Sequence, residues 1–353
     1  MLEPVSLSEN SVESEQVSNN LNENQENAFP RRSERVNKGQ PPQRFGSELS
    51  CLSYDEFELA LNVDRICFDA PVNVEDISAR PDKESWFKAV SEEVKSLHDN
   101  NTWDLVPWPE GRKVLDTRWV FKVKTTSTGE IEKFKARLVA KGCSQKAGVD
   151  YKETYAPVAR LVTLRCLLAV ITCQSLLAIQ LDVCNAFLHG DLQEEVYIKP
   201  PDGVPVPNGM ACKLNRTLYG LKQAPYAWNS KFSNFVMNHG FSQSPRDKCL
   251  YVKMNGDQKV YLLLYVDDVI LASNSRDLLD EVRQLLMSHF SMKDLGQLHN
   301  FLGIKIERTA DGMFLNQSLY FENVLRRLNM MNCKPVSTPL ECKPPANQSK
   351  ESV

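Results

Sequence analysis

The chain has 353 residues, 42% hydrophobic and 25% charged, a composition that excludes a wholly disordered or fibrous protein and allows one large domain or two smaller ones. The formal net charge of −3 hides an asymmetry: residues 1–80 hold 7 Lys/Arg against 15 Asp/Glu, and residues 81–353 hold 35 against 30. An acidic leader masks a mildly basic body of the kind that suits a polyanionic partner.

Ten cysteines without a Cys-x-x-Cys pair or a Cys/His cluster speak against a disulfide framework or a zinc site. They predict reduced thiols in an intracellular protein. No basic segment followed by an apolar run marks a signal peptide. The longest apolar region, 161–183, is broken by Arg165, Gln174 and Gln180, too interrupted for a membrane span. A soluble protein without a membrane partner is expected.

In chain order, residues 1–50 are rich in Ser, Asn, Glu and Gln, and cannot bury enough apolar surface to offset chain entropy. A basic stretch, Arg31-Arg32 to Arg44, reads as a solvated patch or a localisation signal. A short helix is expected near Tyr54–Leu61. Globular patterning begins at Pro81, where Trp86, Val90, Val94 and Leu97 recur at helical spacing behind Asp82 as a candidate cap. Strands are expected at Trp119–Val123 and Phe134–Ala140 around a turn at 127–129, then a helix at Leu161–Thr172 and an apolar strand at Leu176–Val183. A Pro/Gly loop spans Pro200–Gly209, and a helix covers Ala224–His239. Strands Val260–Val266 and Val269–Ala272 follow, then helices at Asp277–Phe290 and Ser318–Asn329 with a strand at Phe301–Glu307 between them. Helices and hairpins without steady βαβ alternation predict an α+β fold. Residues 341–353 form a polar tail.

The most informative segment is Tyr261–Ala272, in which apolar runs flank Asp267-Asp268 on both sides. A two-residue connection would place both carboxylates at a hairpin tip. Two carboxylates about 4 Å apart repel by roughly 4 kcal/mol at an effective dielectric near 20, so stability alone does not select them. A divalent cation turns the repulsion into coordination, and magnesium prefers a few carboxylates plus substrate phosphates. Asp182, near the end of the other strongly apolar strand, is the third candidate ligand. Side by side in one sheet, Asp182 and Asp267 could hold two ions for in-line phosphoryl transfer. The bland alternative is a polar turn and a strand-end cap.

Ten stretches carry a family resemblance: Trp86-Phe-Lys-Ala89, Asn101-Thr-Trp103, Arg118-Trp-Val-Phe121, Lys135-Ala-Arg-Leu-Val-Ala-Lys-Gly142, Tyr155-Ala-Pro-Val158, Asp182-Val-Cys-Asn-Ala-Phe-Leu-His-Gly190, Leu218-Tyr-Gly-Leu-Lys-Gln-Ala-Pro225, Tyr265-Val-Asp-Asp268, Phe301-Leu-Gly303 and Pro335-Val-Ser-Thr-Pro339. In this order they resemble the reverse transcriptase region of copia-type long-terminal-repeat retrotransposon Pol polyproteins, over about residues 81–340. Residues 1–80 then resemble the linker between integrase and reverse transcriptase.

The resemblance implies a right-hand polymerase with fingers, an antiparallel palm sheet and a partial thumb. It gives Asp182, Asp267 and Asp268 the roles of catalytic and metal-binding carboxylates. It makes Phe187 a steric gate against the ribose 2′-hydroxyl, although by residue type a core aromatic is the commoner outcome. Gln223 would shape the nucleotide pocket or be an exposed helix-start residue. Arg137, with Lys135 or Lys141, would contact the incoming triphosphate or form a solvated basic face; residues 112–146 hold ten Lys/Arg and three Asp/Glu. Leu302 and Gly303 resemble a primer grip, with Gly allowing close backbone approach. The implied cofactor is a pair of Mg²⁺ ions, with Mn²⁺ as substitute. The implied partners are an RNA template, a DNA or RNA primer, deoxynucleoside triphosphates and other Pol products, in cytoplasmic virus-like particles or the nucleus.

Three positions depart from the family pattern: Cys184 where Lys is usual, Tyr226 where Arg is usual, and Lys305 where an acid is common. No RNase H, integrase or protease region is recognised, which suggests a fragment or shortened product. Two rival readings follow: a catalytically inactive nucleic-acid-binding remnant, and a palm-like nucleotidyl cyclase that the fingers motifs disfavour.

Overall fold

Burying the stripe Trp86, Ala89, Val90 and Leu97 forms the first long helix of the computed structural model, which describes residues 70–125, 130–309 and 311–335. The expected helix at Tyr54–Leu61, the basic stretch at 31–44, the turn at 127–129 and the polar tail lie outside the described residues. A short helix α1 (Val74–Ile77) precedes α2 (Lys83–Asp99), and Ile77 is fully buried. The packed body therefore includes residues ahead of Pro81. Asp82 occupies the N-cap position of α2, but its carboxylate accepts the Trp86 indole N–H at 3.0 Å and Arg80 Nε at 2.8 Å instead of a backbone N–H.

After β1 (Trp103–Pro107) and β2 (Val114–Leu115), the chain forms a two-stranded ribbon of β3 (Thr117–Thr125) and β4 (Ile131–Ala140). Helix α3 (Leu161–Cys173) and β5 (Leu177–Val183) follow, then β6 (Tyr197–Ile198), β7 (Met210–Leu214) and α4 (Ala224–Asn238). Next come β8 (Ser242–Gln243), β9 (Leu250–Asn255), β10 (Gln258–Tyr265), β11 (Asp268–Ser273), α5 (Arg276–His289) and β12 (Met292–Gln297). β13 (Asn300–Phe301), β14 (Ile304–Thr309), β15 (Gly312–Asn316) and α6 (Ser318–Arg327) end the described elements. The α+β expectation holds.

The central sheet has six strands in the order β12-β5-β11-β10-β9-β8, all antiparallel. Its inner strands β5, β11 and β10 are largely buried on both faces, as their continuous apolar runs imply. Leu262, Leu264, Val269 and Leu271 join one core with α2, α4 and α5. Leu263, Ile270 and Ala272 join another with Leu164, Leu167 and Ile171 of α3. A second sheet runs β1-β7-β6-β2, and a third β13-β14-β15.

The expected single strand Phe301–Glu307 is instead a hairpin. Leu302 and Gly303 take φ of 51° and 73° between the paired residues Phe301 and Ile304. Two left-handed residues in a two-residue connection make the turn that matches strand twist.

Asp247 ties the sheet to α3. Its carboxylate accepts the Arg160 N–H at 3.0 Å, the Thr163 hydroxyl at 2.5 Å and the Cys249 N–H at 2.9 Å. Burial alone would raise its pKa, yet these donors outweigh burial and hold it below the ordinary carboxylate value. Because the folded-state value is depressed, this contribution is present above the unfolded-state pKa and is lost as pH falls through the folded one. Asp247→Ala should cost about 3 kcal/mol at neutral pH through the abandoned donors. The deficit should shrink below about pH 4, checked by chemical denaturation at several pH values.

Candidate active site

β10 and β11 pair through Tyr265 opposite Asp268, so the two-residue connection is Val266-Asp267. The hairpin tip thus lies one residue earlier than the Asp267-Asp268 tip expected, and Asp268 is the first residue of β11. That position puts Asp268 directly across from Asp182 on β5. The Asp267 carbonyl accepts the Val183 N–H at 2.8 Å, which ties the turn to the strand of Asp182. Three half-buried carboxylates from two distant chain segments meet at one end of the central sheet.

Val266 adopts φ of 56°, unusual for a β-branched residue and costing about 1–3 kcal/mol. Such strain persists only where surrounding contacts enforce it. Here the Trp228 indole N–H donates to the Val266 carbonyl at 2.6 Å.

Asp182 and Asp267 line a cleft of about 260 Å³. Lys124 of β3 and Lys133, Lys135 and Arg137 of β4 line it as well, with Glu93 of α2, Tyr219 and Lys293. Arg137 lies 4.7 Å from the centroid of the Tyr219 ring, a cation–π contact that steadies the guanidinium. Lys133 pairs with Glu92 at 2.8 Å. Lys293 sits directly across from Asp182 on β12.

Burial, then repulsion from Asp267, pushes the Asp268 carboxyl up to about 6; the Gln180 amide, which donates to it at 3.2 Å, opposes the rise, and Asp182 adds to it. Burial, helped by Arg137 and Lys124, brings Lys135 down to about 8, with Glu93 and Asp182 opposing. Burial also raises Glu93, whose carboxylate accepts the Leu138 N–H at 3.2 Å.

Among the described residues, no three His, Cys, Asp or Glu side chains are grouped so that together they could hold a metal ion. The donor set nonetheless fits magnesium: a few hard carboxylate oxygens, with coordination positions left for phosphate. The raised Asp268 value reflects burial first and crowded negative charge second, and a divalent cation would relieve the second.

The other expected site residues are more dispersed. Phe187 lies in the 3₁₀ turn Ala186–His189 after β5, buried, with its ring 5.0 Å from Tyr219. It backs a cleft-lining ring and does not itself line the cleft. Gln223 is at the start of α4 and buried, so its exposed alternative is overturned. It accepts from Gln145 Nε2 at 3.0 Å and donates to the Asp150 carbonyl at 3.1 Å. Gln223 and Tyr226 border a separate cavity of about 520 Å³. Lys141 is not among the cleft-lining residues. Leu302 and Gly303 form an exposed turn in the third sheet, joined to the palm-side hairpin through Phe301, whose ring lies 6.4 Å from Tyr265. Open space surrounds Gly303, so its φ and not a close backbone approach calls for glycine.

Sequence reasoning missed Glu93, Lys124, Tyr219, Trp228 and Lys293. Glu93 left a signal, a carboxylate on the apolar stripe of α2, three residues after Val90 and four before Leu97. Of the departures, Cys184 lines the cleft, whereas Lys305 does not and pairs with Glu307 on the solvent side of β14.

Residues 100–342 match the family described as "Reverse transcriptase (RNA-dependent DNA polymerase)". The chain is 42% identical over 275 residues to the retrovirus-related Pol polyprotein from transposon TNT 1-94 of Nicotiana tabacum, covering 76% of this chain and 21% of that protein. It is 42% identical over 265 residues to the Pol polyprotein from transposon RE1 of Arabidopsis thaliana, covering 74% of this chain and 18% of that protein. The chain thus spans about a fifth of the length of these relatives. A foamy viral protease-reverse transcriptase in complex with double-stranded DNA aligns with a TM-score of 0.36 at 14% identity, over 68% of this chain and 36% of that one. No described helix is long and apolar enough to cross a membrane. The family match covers more than half of the chain, and the chain belongs to the reverse transcriptase family as found in copia-type Pol polyproteins.

Proposed function

We propose that this chain is an RNA-directed DNA polymerase of a copia-type retrotransposon, extending a primer 3′-hydroxyl along an RNA template with deoxynucleoside triphosphates. One observation carries the reading: Asp182 faces Asp268 across adjacent strands, with Asp267 at the connecting turn, opposite a basic wall of Lys124, Lys135 and Arg137.

Asp182, Asp267 and Asp268 would hold two magnesium ions, or manganese in their place. Bound there, the ions would supply activation of the primer hydroxyl and stabilisation of departing pyrophosphate. Arg137 and Lys135 bind the triphosphate, the guanidinium as a planar fork already oriented by Tyr219. Tyr219, backed by the buried Phe187 ring, forms the wall against which a sugar packs. Gln223, fixed at both ends by Gln145 and Asp150, keeps the start of α4 in place beside the template base. The Leu302–Gly303 turn supports the primer strand. Work on RNA in intracellular particles, with other Pol products, suits this reading.

The departure at Cys184 favours one alternative, an inactive remnant that retains nucleic-acid binding. Lys293 answers it by placing a cation at the same cleft, across from Asp182. Primer extension by the purified chain on an RNA template decides between them. The expected result is Mg²⁺- or Mn²⁺-dependent incorporation, abolished by chelation. Salt-dependent RNA binding by well-folded protein with no incorporation at ample metal would establish the remnant.

A further inference from the structure

We propose that Trp228 is a positioning residue for the acidic turn, its indole N–H holding the Val266 carbonyl so that Asp267 stays in the cleft. The inference rests on the polymerase reading and deepens it.

The connection between β10 and β11 has two carbonyls, and both are anchored. The Asp267 carbonyl takes the Val183 N–H at 2.8 Å, and the Val266 carbonyl takes Trp228 Nε1 at 2.6 Å. One anchor belongs to the strand of Asp182, and the other to α4. Between them they hold a β-branched residue at φ 56°, a backbone state that valine leaves when released. Rotation of Val266 back to an extended angle would swing the Asp267 carboxylate away from Asp182.

The indole is itself immobile. Trp228 is 1% exposed and packs edge-on against Phe290 at 5.3 Å, with Phe232 at 5.4 Å and His189 at 5.8 Å. A ring needed only to fill this aromatic cluster brings no N–H that must be satisfied, and phenylalanine would serve. The N–H is aimed instead at the strained residue's own carbonyl. Trp228 also lies five positions after Gln223 on the same helix, so one rigid rod links the expected nucleotide pocket to the acidic turn.

The test compares the full chain with Trp228→Phe, which keeps a smaller aromatic ring and deletes the N–H, and with Phe232→Leu, which loosens the same cluster and keeps the N–H. Mn²⁺ binding is read by electron paramagnetic resonance on protein carrying an RNA template and a dideoxy-terminated primer, beside extension kinetics and thermal melts. Groups that orient metal-binding side chains typically contribute about 10- to 100-fold in affinity or rate. Trp228→Phe is expected to weaken Mn²⁺ by that factor and to lower kcat, with the nucleotide KM within about twofold of wild type. Phe232→Leu should lower the melting temperature without weakening Mn²⁺. The proposal is overturned if Trp228→Phe binds Mn²⁺ and extends like an active wild type. It is equally overturned if both variants lose Mn²⁺ in step with their melting temperatures. A wild type with neither extension nor an Mn²⁺ site removed by Asp267→Asn sinks the polymerase reading itself, and this inference with it.

Discussion

Asp267→Asn is expected to abolish primer extension and to leave the protein folded. The amide matches the carboxylate in shape, so packing around the Val266–Asp267 turn is retained and only the charge is lost. Metal-ion catalysis contributes several kcal/mol of transition-state charge stabilisation, and each 1.36 kcal/mol is tenfold in rate, so the expected loss is about a thousandfold or more. Stability should move the other way. Repulsion from Asp267 is the second cause, after burial, of the raised Asp268 carboxyl at about 6. Without it Asp268 relaxes toward the ordinary carboxylate range, and the melting temperature stays level or rises. Asp182→Asn should behave alike. If the carboxylates act as one unit, the double variant loses little more than either single one. Single-nucleotide incorporation rates with matched melts are the check. Retention of extension within about tenfold of wild type would remove the acidic cluster from the chemistry.

The acidic cluster was legible because three residues, two of them adjacent, interrupt otherwise apolar strands. The register of their hairpin was not. Strands buried on both faces lack the alternation that fixes which residue begins the turn, so Asp267-Asp268 and Val266-Asp267 read alike from sequence. The Leu302-Gly303 turn was hidden for the opposite reason: one glycine inside an apolar run reads as a strand irregularity, and nothing local announces a left-handed leucine before it. Gln223 was placed at a helix start, but its burial depends on Gln145 and Asp150, more than 70 positions earlier. Glu93 and Trp228 were not singled out at all. What gives each a part in the site is a partner on another element, the Leu138 N–H for Glu93 and the Val266 carbonyl for Trp228. Local pattern fixes elements and their faces; it does not fix which polar atoms meet across them.

Gly220→Ala should destabilise the protein by about 2–5 kcal/mol. The Lys135–Gly142 and Leu218–Pro225 stretches interlock through two glycines. Ala140 donates its N–H to the Tyr219 carbonyl at 2.8 Å, and a Cβ on Gly220 would overlap the Ala140 carbonyl oxygen and lie 2.6 Å from Val139 Cγ1. A Cβ on Gly142 would overlap the Gly220 carbonyl oxygen in turn. Gly220 also has φ of +88°, which costs a residue with a side chain about 1–2 kcal/mol, and forced overlap in a packed seam adds about 1–3 kcal/mol. Against a total stability of about 5–15 kcal/mol, the melting temperature should fall by roughly 5–15 °C. Gly148 and Gly296 separate the two causes. Their φ values are +78° and +75° with open space where a Cβ would go, so alanine there should cost only the backbone part. The seam also carries Arg137 over Tyr219 and brings Gln145 to the Lys222 N–H at 2.9 Å, so its distortion reaches the cleft. Below its melting point Gly220→Ala should therefore show a raised nucleotide KM that Gly148→Ala does not share. Equal melting temperatures for the two variants would mean that the glycines meet because of the turn alone, and that the two motifs are not locked by close approach.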